Sequence, residues 1–219
     1  MRKGGPIMEN VHIFDHPLIH HKISYLRDAR TSTADFRAIV EELAMLMAFE
    51  VLSDLETYDV DVQTPLATAH CRRVDDERIV IVPILRAGLG MVPGFQKLLP
   101  FVRVGHIGLE RDETTHEPHA YYYKMPPESE DAQIIVVDPM LATGGSACDA
   151  IAHLKANGMT RIKFVCLIAS EQGLARLHSA HPDVAIYAGE CDPTLNDDAY
   201  IVPGLGDAGD RIFGTISSK

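Results

Sequence analysis

The hydrophobic rhythm of the chain changes near residue 78. Upstream, Phe36, Ile39, Val40, Leu43, Leu46 and Met47 recur at helical spacing, which predicts an amphipathic helix. Ser32 followed by Asp35 is a capping-box-like start for it. The stripe Met45-Leu46-Met47 reads as core packing, because flexible thioethers fill irregular gaps. Downstream, apolar residues run without interruption through Ile79 to Leu85, Ile134 to Val137 and Phe164 to Ile168. Such runs predict strands buried on both faces of a parallel sheet. Between them, Ala147, Ile151 and Leu154 share one helical face that should stop at Asn157-Gly158. Leu174 and Leu177 predict a further helix before Pro182, and Val184 to Tyr187 a following strand.

Strands alternating with helices indicate an α/β fold: an open, mainly parallel sheet flanked by helices. N-terminal helices precede it. The polar-flanked Tyr121-Tyr122-Tyr123 segment is expected to form a small β flap or hood beside the sheet. There is no internal repeat and no low-complexity segment. One domain is expected over residues 1–219, with residues 1–15 a flexible extension.

Charge narrows the function. Lys and Arg total 20 against 31 Asp and Glu, a net charge of −11. A field of that sign repels phosphate, so neither general nucleic-acid binding nor attachment to an anionic membrane is expected. No apolar run approaches the roughly 20 residues that span a bilayer. Arg2 and Lys3 are followed by Gly4-Gly5-Pro6 where a signal peptide would be apolar. Cys71, Cys148, Cys166 and Cys191 contain no C-x-x-C pair and are expected to be reduced, in a cytoplasmic protein. His12, His16, His20 and His21 stand near i, i+4 spacing. Pro17 is expected to interrupt a helix there, and the cluster reads as solvated or packing side chains rather than a metal site.

In open α/β sheets the chemistry lies beyond the carboxyl ends of the strands. Asp138-Pro139-Met140-Leu141-Ala142-Thr143-Gly144-Gly145-Ser146 joins a strand to a helix there. Its glycines permit close approach of a ligand, Thr143 and Ser146 carry hydroxyls, and the helix start favours an anion. It has neither the lysine and spacing of a Walker loop nor G-x-G-x-x-G. Asp138 ends an apolar strand, where a carboxylate is costly unless it is paired or serves a ligand.

That segment resembles the phosphoribosyl pyrophosphate (PRPP) loop of the uracil phosphoribosyltransferase family. Val82-Pro83-Ile84-Leu85-Arg86-Ala87-Gly88-Leu89-Gly90 and Tyr200 to Asp210 resemble two further motifs of that family, in the same order. The resemblance runs from about His16 to Thr215 and implies transfer of phosphoribose from PRPP to uracil, giving UMP. It implies that Arg86 and Arg111 contact the pyrophosphate, and that the peptide before Arg86 is cis. Asp138 would meet the ribose hydroxyls, and Pro139 through Ser146 would cradle the 5′-phosphate. Mg²⁺ would travel with PRPP, held by ligand oxygens and water, with Asp207 as a nearby second carboxylate. Ile201, Gly206 and Ala208 would bind uracil through main-chain groups. Gly206 to Gly209 is read as too glycine-rich for regular structure. The basic segment Lys22 to Arg30 is a candidate to approach a site. Homodimers or larger homo-oligomers are implied, in some members with GTP as activator, although no GTP motif is visible. The rival readings are a phosphoribosyltransferase for another base, a pyrimidine-sensing RNA-binding regulator of the same fold, and a catalytically silent subunit. The charge balance opposes the regulator, and intact Arg86, Asp138, Gly144, Gly145 and Asp207 oppose the silent subunit.

Overall fold

A computed structural model describes residues 9–111 and 118–215. The chain opens with β1 (Val11–Ile13), α1 (Pro17–Arg27) and α2 (Thr33–Val51). A ribbon of β2 (Thr57–Gln63) and β3 (Thr68–Val74) follows. Next come β4 (Ile79–Pro83), a 3-10 turn over Ala87–Met91, α3 (Val92–Leu98) and β5 (Arg103–Val104). A hairpin of β6 (His106–Arg111) and β7 (Pro118–Lys124) leads to β8 (Gln133–Val137), β9 (Met140–Leu141) and α4 (Gly145–Ala156). The remainder is β10 (Ile162–Ser170), α5 (Glu171–Ala180), β11 (Ala185–Asp192), β12 (Thr194–Leu195), β13 (Ile201–Val202) and α6 (Ala208–Phe213).

The central sheet runs β1-β11-β10-β8-β4-β5, all parallel, with β9 added beside the end of β10. Every residue of β4 and β10 is buried, as their continuous apolar runs predict. Each fully buried aliphatic side chain contributes about 1.5–3 kcal/mol by leaving water. One face packs α1, α2, α3 and α6 through residues such as Phe36, Leu43, Met47 and Ile212. The other packs α4, α5 and the β6–β7 hairpin through Ile151, Leu154, Phe164 and Leu177. From β4 the chain winds outward to β5, whereas from β8 it winds the opposite way to β10 and β11. The order therefore reverses between β4 and β8, which is where ligands bind in such sheets.

Several expectations change. Residues 1–8 of the expected extension lie outside the described residues, but Val11–Ile13 pair in register with Ile186–Ala188, so the extension does not reach residue 15. Pro17 does not interrupt a helix. It opens α1, where its fixed φ suits the first position and its missing N–H costs nothing, and His16 Nδ1 caps the turn by accepting from Leu18 N–H at 3.2 Å. Within the Met45–Met47 stripe only Met47 is buried; Met45 and Leu46 line an open groove with Phe49 and Leu98. Ser32 caps α2 as expected, accepting from Asp35 N–H at 3.1 Å. Tyr121–Tyr123 do lie in a hairpin, β6–β7, joined to the end of β4 where Leu85 N–H donates to Ile107 O at 2.8 Å.

Candidate active site

Two adjacent strands deliver the first two motifs. β4 ends at Pro83 and β8 at Val137, and Ile84 N–H donates to Val137 O at 3.0 Å. Gly88 is needed for this approach, since a Cβ there would lie 2.4 Å from Val137 O. The Leu85–Arg86 peptide is cis, as the resemblance implies. Arg86 is exposed, and its Nη2 lies 3.9 Å from Asp210 Oδ1. That contact brings the third motif to the first. Arg111 ends β6, with its backbone paired to Pro118; its side chain, like His116, lies outside what is described.

Asp138 follows β8 directly, its N–H held by Val165 O at 3.1 Å. The residue keeps some surface, yet its carboxyl lies among strand ends. Burial pushes its pKa up to about 7, opposed by a hydrogen bond from Met140 N–H at 3.4 Å. Among the described residues no cation pairs with it, so the fold carries this burial cost without a partner for the charge.

The loop after Asp138 is pinned from behind. Pro139 O accepts from Leu167 and Ile168 N–H, and β9 pairs with Ile168–Ala169. Ser170 caps α5, accepting from Gly173 N–H at 2.8 Å, and its hydroxyl donates to Ala142 O at 2.5 Å. A Cβ on Gly173 would lie 2.5 Å from both Leu141 O and Ala142 O. Gly144 turns the chain into α4 with a left-handed φ of 77°. The first helical hydrogen bond is Cys148 N–H to Gly144 O, so the amides of Gly145, Ser146 and Ala147 make no bond within α4. Together with the helix dipole they suit an anion. Arg176 of α5 donates to Thr143 O at 3.4 Å and packs against Gly144. It is a cation beside this loop that no sequence motif marked.

The third motif starts at β13, where Ile201 is buried, passes the cis Val202–Pro203 peptide and turns at Gly204 and Gly206 with φ of 56° and 79°. Gly206 is exposed, and a Cβ there would meet nothing within 4 Å, so its backbone faces open space. Regular structure resumes sooner than expected. Asp207 caps α6, which begins at buried Ala208 and includes Gly209. Its Oδ1 accepts from Asp210 N–H at 2.8 Å. Only Oδ2, 3.4 Å from the Tyr200 hydroxyl, is left to serve a ligand. The Asp207 charge in turn raises the Tyr200 pKa.

Among the described residues no three His, Cys, Asp or Glu side chains converge as a metal cage. His20 instead bonds Glu190 at 2.9 Å and Asp15 at 3.1 Å. No helix among the described residues is long and apolar enough to cross a membrane.

The chain is similar to known proteins in sequence and in fold. A family model described as uracil phosphoribosyltransferase matches residues 13–215. The uracil phosphoribosyltransferase of Staphylococcus epidermidis is 57% identical over 208 residues, 95% of this chain and 100% of that one. That of Staphylococcus aureus is 56% identical over the same shares. Among solved structures, the AQ2163 protein from Aquifex aeolicus superposes with a TM-score of 0.87 at 37% identity, covering 95% of this chain and 100% of its own. The adenine phosphoribosyl transferase of Trypanosoma brucei, 13% identical over 93% of this chain and 90% of its own, shares the fold at a TM-score of 0.58.

Proposed function

The chain belongs to the uracil phosphoribosyltransferase family, a family of pentosyltransferases, and from that premise we propose how its residues divide the reaction. The bond that forms joins uracil N1 to C1 of PRPP, and N1 gives up its proton to the departing pyrophosphate or to water. The bond that breaks releases pyrophosphate, and UMP is the product. Positive charge grows on the sugar carbon while negative charge grows on the leaving group, so the residues must hold anions and exclude water.

Arg86 takes the pyrophosphate, because a guanidinium offers two parallel donors to phosphate oxygens. Arg111 is its partner by position on the hairpin that joins the end of β4. The amides at the start of α4, with the hydroxyls of Thr143 and Ser146, hold the 5′-phosphate, and Arg176 adds charge beside them. Asp138 accepts from the ribose hydroxyls. Asp207 Oδ2 would face, through water, the Mg²⁺ that PRPP oxygens would carry, an ion that would offset charge on the leaving pyrophosphate. The main chain around Ile201 and Gly206 to Ala208 meets uracil, whose two carbonyls flank an N3–H.

The observation that carries this reading is the meeting of all three motifs where the strand order reverses, with Arg86 3.9 Å from Asp210 and one strand away from Asp138. The four cysteines form no disulfide, which fits a reducing compartment, and we place the enzyme in the cytoplasm, salvaging uracil. A homo-oligomer, and GTP as an activator, are the further expectations of the family resemblance. The test is direct: radiolabelled uracil, PRPP and Mg²⁺ should yield UMP. Transfer to another base alone would move the substrate assignment, and tight RNA binding without transfer would replace it with the regulator.

A further inference from the structure

The base loop is held by side chains that lie outside all three motifs. Arg27, the last residue of α1, forks onto Asp192, with Nη1–Oδ2 at 2.7 Å and Nη2–Oδ1 at 2.8 Å. Its Nη1 also donates to Gly204 O at 2.8 Å, and its Nη2 to Glu190 Oε2 at 2.8 Å. Asp192, 5% exposed at the end of β11, accepts the Gly204 N–H at 2.9 Å. Both main-chain polar groups of Gly204 are therefore taken by one ion pair. From the other side, Arg211 of α6 donates to Leu205 O at 2.8 Å, to Leu26 O, and to Asp28 O at 2.7 Å. Its guanidinium rests 4.3 Å over the Phe36 ring. Gly204 and Leu205 immediately precede Gly206, whose backbone faces open space. Leu205 is buried in the core between them, but Gly204 and Gly206 carry no side chain to pack, so hydrogen bonds to the main chain must fix its course.

We infer that Arg27, with Asp192 and Arg211, forms a clamp of positioning residues that sets the affinity and selectivity for uracil by fixing the main chain of Gly204 and Leu205. The inference rests on the proposed reading that this loop meets the base. A base read by main-chain groups is read only as well as that main chain is placed, and a displacement of about 1 Å can cost about 10²-fold in rate. Among the described residues the clamp's side chains bond none of Arg86, Asp138 or residues 139–146; only the main-chain N–H of Arg211, which substitution leaves in place, bonds Asp207 O, at 3.1 Å. Loss of the clamp should therefore appear in the kinetics of one substrate and not the other.

The experiment uses the full chain with Arg27→Lys and Arg27→Met, varying uracil at saturating PRPP and the reverse. Lysine keeps the charge opposite Asp192 and Glu190 but cannot reach Asp192 and Gly204 O as a fork. Arg27→Lys should raise KM for uracil about tenfold, leave KM for PRPP within about twofold, and lower the preference for uracil over cytosine in parallel. Arg27→Met should do the same more strongly. Gly206→Ala runs alongside: its added methyl meets nothing in the free protein but strains the main chain at a φ of 79°, so a loop that meets the base must register it. If Gly206→Ala leaves KM for uracil unchanged, the base-loop reading fails and the clamp with it. If Gly206→Ala raises that KM while Arg27→Lys does not, the clamp alone is wrong. Equal rises in both KM values, or a fall in kcat alone, would also overturn it, since a merely structural role behaves that way. Should Arg27→Lys fail to melt cooperatively, Arg211→Lys, which loosens Leu205, is read by the same criteria.

Discussion

Replacing Asp138 with asparagine should make the protein more stable and much less active, and the stability gain should depend on pH. In the folded protein the Asp138 carboxyl titrates near about 7, against 3.8 for an unburied aspartate. Below the lower value both states are protonated and the side chain costs nothing. Between the two values only the unfolded chain ionises, so stability falls as pH rises, by about 1.4 kcal/mol for each pH unit. Over that span the loss reaches a ceiling of about 4 kcal/mol, and it is constant above it. Asparagine keeps the shape and the acceptor for Met140 N–H but cannot ionise. Allowing for its own buried amide, Asp138→Asn should gain about 2 kcal/mol at neutral pH, or roughly 4–8 °C in melting temperature for a chain of this size. Near pH 4, where the ionisation cost is nearly gone and the cost of the buried amide remains, the variant should melt a few degrees below wild type. The same variant should lose about 10²-fold in turnover, since an amide cannot supply the charge the ribose hydroxyls need. Melting curves at the two pH values and initial rates at neutral pH measure both effects. A melting difference that is the same at both pH values, or a destabilised variant that keeps its activity per folded molecule, would refute the argument and make Asp138 a structural cap.

Four further outcomes are expected. Arg86→Ala should cut turnover by about 10²–10³-fold, and Arg86→Lys should not restore it fully, because lysine cannot fork; a fully active lysine variant would reduce Arg86 to a point charge. Gly145→Val places a branched side chain at the first residue of α4, where the 5′-phosphate is proposed to sit, and should lower activity by about 10²-fold or more while the fold survives, as circular dichroism and rates together would show. Arg176→Ala should raise KM for PRPP about three- to tenfold and leave KM for uracil alone, as expected for a partly exposed cation beside a phosphate. Uracil should be preferred to cytosine by roughly 10⁴ or more in kcat/KM, since cytosine reverses two of three polar contacts, and Gly206→Pro, which removes an amide donor and cannot adopt the φ of 79° found there, should abolish uracil use.

The sheet and its flanking helices were legible because buried parallel strands must be continuously apolar, as in Ile134–Val137 and Phe164–Ile168. Asp138 stood out for the same reason, a lone charge at the end of such a run. The β2–β3 ribbon was not legible. Most of its residues are exposed on both faces, so no apolar alternation marks it. Pro17 misled because the same residue breaks a helix from within and starts one at its first turn. Asp192, Ser170 and Arg176 were missed, and Arg27 was marked only as part of the basic Lys22 to Arg30 segment, because their work is done across the fold. Arg27 bonds a residue 177 positions away, and no local spacing records such a contact. Asp207 shows the opposite failing. Its motif was visible, but the use of one carboxylate oxygen as a helix cap appears only in three dimensions.

The sheet ends in strands of three residues at β1 and two at β5. Just inside β1 lies β11, eight residues long and largely buried. Were β11 outermost, it would offer a neighbouring molecule a long row of unpaired amides and carbonyls, the template on which chains stack into aggregates. With β1 in place Ile186–Ala188 are already paired, so that row is interrupted and the outermost strand is too short to make a good template for edge-to-edge pairing.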